Sequence, residues 1–166
     1  MSSKVAKGKW KLDFIQKIER VFRTVSNLHV TNVEDIMLQL SPTFQDVEKH
    51  LLKPQDLEYG RNVLFKNERV EVLLVFLPPF SKTLVHDHGF SSGWIYVVEG
   101  SVLNLVYAKG KDGVSYEKNE YYQKGELFSV EGDTTHAMYN PSFSGTVTLH
   151  IYSPPLGIGQ VYKPHE

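Results

Sequence analysis

The 166-residue sequence contains no cysteine. That absence excludes disulfides, thiolate metal ligands and a cysteine nucleophile, and it fits a cytoplasmic protein. Long apolar runs are missing as well. None approaches the roughly 18 residues of a membrane-spanning helix, and the N-terminus lacks the apolar stretch of a signal peptide. Charge excess is also absent: 18 Lys and Arg against 19 Asp and Glu give a formal net charge of −1. Such a balance offers no whole-molecule attraction to nucleic acid or an anionic membrane. Within residues 1–24 there is a local basic bias, where Lys4, Lys7, Lys9, Lys11, Lys17, Arg20 and Arg23 outnumber Asp13 and Glu19. An organelle presequence or an acidic partner would fit that bias. However, Trp10, Phe14, Ile18 and Phe22 run through it as an apolar stripe, so it reads as a helix with a solvated basic face. No internal repeat, low-complexity segment or linker interrupts the chain. With 41% hydrophobic and 22% charged residues, one globular domain is expected, burying roughly 68–70% of its unfolded surface.

What is present falls into two textures. Residues 1–54 read as helical. Phe14, Ile15, Ile18, Val21, Phe22 and Val25 follow the helical repeat. Thr31 with Glu34 forms a capping box for a second helix ending near Leu40. Ser41 and Pro42 read as an N-cap and first-turn proline for a third helix reaching Leu52, with Pro54 preventing further extension. Residues 55–166 change to short β-branched or aromatic runs at 63–65, 70–77, 94–98, 102–107, 126–130 and 146–152. Turn-forming clusters such as Lys109-Gly110-Lys111-Asp112-Gly113 separate them. Many short strands without intervening helical periodicity point to an antiparallel sandwich or barrel, with the helices covering it.

Seven histidines are present. His86 and His88 flank Asp87, and alternation along a strand projects both imidazoles to one face. His136 follows in the frame Gly125-x10-His136-x3-Asn140, a strand, turn and strand that bring a third imidazole inward. Three nitrogens on one side of a metal leave open positions, which suits chemistry better than a purely structural site. Three neutral ligands also leave the metal charge uncompensated, favouring an anionic co-ligand. Imidazole suits iron, zinc, copper and nickel alike, and a zinc-activated water remains a competitor at this point. His29 and His50 fall in helical segments and His165 near the chain end; all three read as surface or packing residues. A second polar set closes the β region: Thr148, His150 and Tyr152 share one strand face. Buried together, they need partners, either sealing the barrel end or forming a pocket wall. Arg61, in Tyr59-Gly60-Arg61-Asn62, is suited to gripping a carboxylate in a bidentate manner.

The His-x-His pair and later single histidine resemble the cupin superfamily, although Ser92 and Gly93 stand where a ligating glutamate often follows. Four separated features together closely resemble the cysteine dioxygenase family over about residues 55–155. They are Tyr-x-Arg-Asn at 59–62, His-Asp-His at 86–88, the Gly125, His136 and Asn140 frame, and Thr-x-His-x-Tyr-Ser-Pro-Pro at 148–155. The resemblance implies a mainly β cupin, a double-stranded β-helix or jelly-roll barrel, with N-terminal α-helices packed on it. It implies that His86, His88 and His136 hold Fe(2+), and that Arg61 binds the substrate carboxylate with help from Tyr59 and Tyr152. His150 would hydrogen-bond the catalytic Tyr152, with Thr148 supporting the imidazole. The implied reaction takes L-cysteine and O2 to cysteine sulfinic acid, in cysteine catabolism, with the thiolate and amine meeting iron. One departure is Gly93, where mammalian members carry a cysteine crosslinked to the tyrosine matching Tyr152. Glycine cannot form that bond and is common in bacterial members. The alternatives are a dioxygenase of 3-mercaptopropionate or another small thiol, and a non-catalytic cupin that senses metal or ligand. Arg61 argues against cysteamine, which lacks a carboxylate. A cytoplasmic monomer with no nucleic-acid or membrane partner is expected.

Overall fold

Helical capping and strand alternation explain most of the architecture in the computed structural model, which describes residues 12–164. Trp10, Lys4, Lys7, Lys9, Lys11 and His165 lie outside the described residues. Helix α1 (Phe14–Phe22) begins where Asp13 accepts a hydrogen bond from the Gln16 amide at 2.9 Å, while Gln16 accepts one from the Asp13 amide. Its Phe14, Ile18 and Phe22 are buried, as their spacing predicts.

The second and third helices begin elsewhere than expected. Helix α2 (Val30–Leu40) starts two residues early, because His29 is extended and its amide donates to Asn32 at 2.7 Å. Asn32, rather than Glu34, therefore provides the reciprocal cap. Ser41 adopts a left-handed φ of 41° and ends α2. An N-cap needs extended backbone, so Ser41 cannot open the next helix. Thr43 does so instead, exchanging hydrogen bonds with Asp46. Helix α3 (Phe44–Val47) then tightens into a 3-10 turn at Glu48–His50, short of Leu52.

The β region contains β1 (Gly60–Lys66), β2 (Glu71–Leu77), β3 (Val85–His86), β4 (Ser92–Glu99), β5 (Ser101–Gly110), β6 (Gly113–Gln123), β7 (Leu127–Val130), β8 (Thr135–Tyr139), β9 (Thr146–Ser153) and β10 (Val161–Tyr162). They form two five-stranded antiparallel sheets, ordered β1-β2-β9-β4-β7 and β10-β3-β8-β5-β6. Alternation divides the core into layers. Leu73, Val75 and Leu77 of β2 meet Ile95, Val97, Phe128 and Met138 between the sheets. Val72 and Leu74 point the other way and pack with Leu149 and Ile151 against α1 and α2. Strand β2 thus buries both faces, which accounts for its unbroken apolar sequence.

Strand β6 was not apparent from its sequence. Most of its residues are exposed, so it lacks an apolar alternation. Its place is set by pairing with β5, from Ser101↔Gln123 to Gly110↔Gly113, and the glycine-rich cluster forms the intervening hairpin turn. Among the described residues, no helix is long and apolar enough to cross a membrane.

Candidate metal centre and substrate cavity

Cross-strand pairing builds the histidine cluster. His86 on β3 lies directly opposite His136 on β8, in the second sheet. Strand β3 ends at His86, so His88 lies beyond it rather than within a continuous strand. Its imidazole nevertheless joins the other two. Nε2 of His88 is 3.1 Å from Nε2 of His86 and 3.4 Å from Nε2 of His136. Asp87 turns away, as alternation predicts, and receives Lys109, Tyr162 and the amides of Gly89 and Gln160. Burial pushes its carboxyl up, but those hydrogen bonds outweigh burial and hold it well below the usual carboxylate range.

The outer nitrogens of two imidazoles are fixed. His86 Nδ1 donates to the Leu84 carbonyl at 2.7 Å, and His136 Nδ1 donates to Asn104 Oδ1 at 2.7 Å. A neutral ring that donates through Nδ1 presents a lone pair at Nε2. Neutrality follows from burial, which lowers the pKa of all three. His88 is lowered to about 3, with His86 adding repulsion, and the fully buried His136 also falls well below its usual value. Nitrogens this close meet either through a shared proton or around a cation. With metal–nitrogen bonds of about 2.1 Å, adjacent ligands stand about 3.0 Å apart at right angles and about 3.4 Å apart at a tetrahedral angle. The two spacings about His88 match those values, and all three ligand nitrogens lie within 4.8 Å of one another, a group that could hold a metal ion.

The triad borders a cavity of about 490 Å³ that is also lined by Tyr59, Arg61, His150 and Tyr152. On β9, Thr148, His150 and Tyr152 form a buried row along the inward face. Thr148 Oγ1 is 2.8 Å from His150 Nε2, and His150 Nδ1 is 2.8 Å from the Tyr152 hydroxyl. That hydroxyl lies 3.5 Å from His88 Nε2, which carries the row to the triad. Burial lowers the His150 pKa, and repulsion from the His88 site adds to it. Burial raises the Tyr152 phenol far above its ordinary range, against the pull of Arg61. Tyr59 is raised by burial and partly drawn back by Arg61.

A family model for cysteine dioxygenase type I matches residues 1–164. The chain belongs to that family. Members of the cysteine dioxygenase type I family use iron and are dioxygenase-type enzymes, and the three histidines here can hold a metal ion. A solved protein from Thermus thermophilus shares 24% identity over 65% of this chain and 94% of its own, with a TM-score of 0.53. A Klebsiella pneumoniae protein with a double-stranded β-helix domain shares 15% identity, over 69% and 93% of the two chains, with a TM-score of 0.55. The cupin domain of Cnp3 from Schizosaccharomyces pombe shares 14%, over 63% and 67%, with a TM-score of 0.52. At those identities the likeness is one of fold, and the fold is the expected cupin barrel.

The family motif residues divide between the cavity and the scaffold. Tyr59, Arg61, His86, His88, His136, His150 and Tyr152 line the cavity. Thr148 stands behind His150. Asn62 instead donates to the His50 carbonyl, tying β1 to the helical segment. Asn140 donates to the carbonyls of Leu77, Pro78 and Ser144, closing the turn after β8. His29 is exposed at the start of α2, and His50 sits in the 3-10 turn; neither joins the triad. Gly93 pairs with Tyr152 across β4 and β9, and an added Cβ would lie 2.7 Å from Tyr152 Cε1. Its missing side chain makes room for the phenol ring.

Two important residues escaped sequence reasoning. Asn104 orients His136 and also donates to Glu120 at 3.3 Å. Glu71 is 2% exposed and holds Arg61 at 2.9 Å. Each is a polar residue in an apolar run on an inward strand position, and that was the available signal.

Proposed function

We propose that this chain oxidises L-cysteine with O2 to cysteine sulfinic acid, using Fe(2+) held by His86, His88 and His136. The observation carrying this reading is the convergence of three histidine Nε2 atoms beside a cavity that also presents Arg61 and Tyr152. The overall stoichiometry adds both oxygen atoms to one thiol sulfur. Bound ferrous iron supplies the electron donation that lets spin-paired organic sulfur react with dioxygen. The chain's own residues bind and orient the substrate.

Arg61 uses one Nη2 contact on Glu71, so its planar fork retains donors for the cysteine carboxylate. A fixed carboxylate limits where the sulfur can sit, and positioning of this kind provides a large part of enzymatic rate. Tyr152 borders the same cavity. If Thr148 donates to His150 Nε2, then Nδ1–H donates to the phenol oxygen and the phenol proton faces the cavity. Reversing the row makes Tyr152 an acceptor there. Either setting keeps every member neutral, which agrees with the lowered His150 and raised Tyr152 pKa values.

An oxygen-electrode assay of the iron-reconstituted protein tests the reading against cysteine, 3-mercaptopropionate and cysteamine. Cysteine should be turned over with one O2 consumed per sulfinate, identified by mass. No uptake with any thiol would leave a metal-binding cupin without this activity. Arg61→Ala should raise the KM for cysteine about 100-fold while iron stays bound, given the usual cost of losing a charged hydrogen-bonding partner. Unchanged cysteine kinetics would remove Arg61 from the substrate site.

A further inference from the structure

Glu71 has no part in the reaction just described, yet its buried carboxylate holds two cations and a backbone amide in the cavity wall. It opens β2 on the inward face, in phase with Leu73, Val75 and Leu77. Its side chain is 3% exposed. One oxygen accepts from Arg61 Nη2 at 2.9 Å; the other accepts from Lys66 Nζ at 2.9 Å and from the Leu156 amide at 3.1 Å. Arg61, Lys66, Glu71 and Leu156 all line the same cavity as the triad. An isolated carboxylate would be costly to bury, so its two cations and one amide form a built site rather than a chance surface contact.

The charges on this wall can be counted. Arg61 and Lys66 contribute two positive charges and Glu71 one negative, leaving one positive charge in excess. Asp87, the other carboxylate lining the cavity, is already matched by Lys109 at 2.9 Å and by Tyr162. Arg61 spends one of its five N–H donors on Glu71 and is 40% exposed, while Lys66 is 51% exposed. Both cations therefore remain able to meet a second anion.

We infer that Glu71 is a specificity-determining residue that orients Arg61 and sets the wall's excess charge at one, matching a ligand with a single carboxylate. The thiol part rests on the proposed function; the carboxylate part concerns the cavity wall alone. A ligand with one carboxylate completes the charge balance. A second carboxylate would exceed the wall's single excess positive charge and stand beside Glu71, and like-charge juxtaposition is an effective means of rejecting a wrong partner.

Calorimetric titration of the zinc-loaded protein tests this without turnover, using 3-mercaptopropionate with one carboxylate and mercaptosuccinate with two. Wild-type protein should prefer the monocarboxylate. Glu71→Gln preserves shape and removes the charge, so it should shift the affinity ratio toward mercaptosuccinate by about tenfold, the effect of roughly 1.4 kcal/mol. A ratio within twofold of wild type in a folded, zinc-binding variant would overturn the inference. Lys66→Gln changes the more exposed cation and keeps the test available if Glu71→Gln fails to fold. It should weaken mercaptosuccinate more than 3-mercaptopropionate, and equal or no weakening would contradict the charge rule. These titrations are independent of oxygen chemistry. A charge-dependent ratio without oxygen uptake would sink the dioxygenase reading alone, and normal turnover with an unmoved ratio would sink the role of Glu71 alone.

Discussion

The histidine triad and the single imidazole of the β9 row face the same cavity with opposite wiring. In the triad, His86 and His136 are anchored through Nδ1 and direct Nε2 inward, where it meets only other imidazoles. In the β9 row, His150 has a partner on each nitrogen, Thr148 on one side and Tyr152 on the other. Both sets are kept neutral chiefly by burial. The difference therefore lies in hydrogen bonding rather than protonation. A histidine with one committed nitrogen can serve as a ligand, whereas one with both committed passes orientation along a chain.

The largest break in that comparison comes from removing a ligand. His136→Ala should abolish stoichiometric iron loading, measured as metal per folded chain, and a fully loaded variant would contradict the assignment. His150→Ala should leave loading intact. Next is the support behind the ligand. Asn104→Leu removes the acceptor that fixes the His136 tautomer and should weaken metal affinity about 10- to 100-fold, as loss of a ligand's orienting partner generally does. A competitive chelator titration would read this. Undiminished affinity would show that the Asn104 contact does not matter to the metal.

Tyr152→Phe sharpens the contrast from the other side. It should slow turnover about tenfold, the effect of losing one hydrogen bond worth about 1.4 kcal/mol, while iron loading remains unchanged. Wild-type kcat would make the phenol dispensable, and lost iron would merge the two networks. The smallest expected effect is one of pH on the metal-free protein. His88, His136 and His150 have folded pKa values below the unfolded value, so the unfolded chain binds protons first as pH falls. Stability should decline from about pH 6.5 downward, continuing for His88 toward about pH 3. Asp87 acts with the same sign, but only below its unfolded value near 4. Thermal midpoints at pH 7.5 and 5.5 would check the histidine window, and equal midpoints would argue against neutral buried rings.

The sequence revealed residues whose chemistry stands out locally. Thr148, His150 and Tyr152 could be named because strand periodicity puts them on one face, and His86, His88 and His136 because their residue type and spacing mark a ligand set. Arg61 could be named for its guanidinium at the opening of the β region, but its hold on Glu71 depends on a β1–β2 pairing that no local pattern records. Asn104 reaches His136 through the β5–β8 register, in which Val106 pairs with His136. Helix starts were misplaced because Thr31 and Ser41 are good capping types in positions whose backbone serves another purpose. Strand β6 stayed hidden because it borrows its order from β5 and buries little of itself. Local chemistry was visible, while partners supplied by distant strands were not.

X-ray absorption on the ferrous-loaded protein would test the central claim most directly, by counting imidazoles around the metal. The account predicts one iron per chain with three imidazole nitrogens, falling to two in His136→Gln if that variant retains any iron. Fewer than three imidazoles in the wild-type spectrum, or three still present after that substitution, would contradict it.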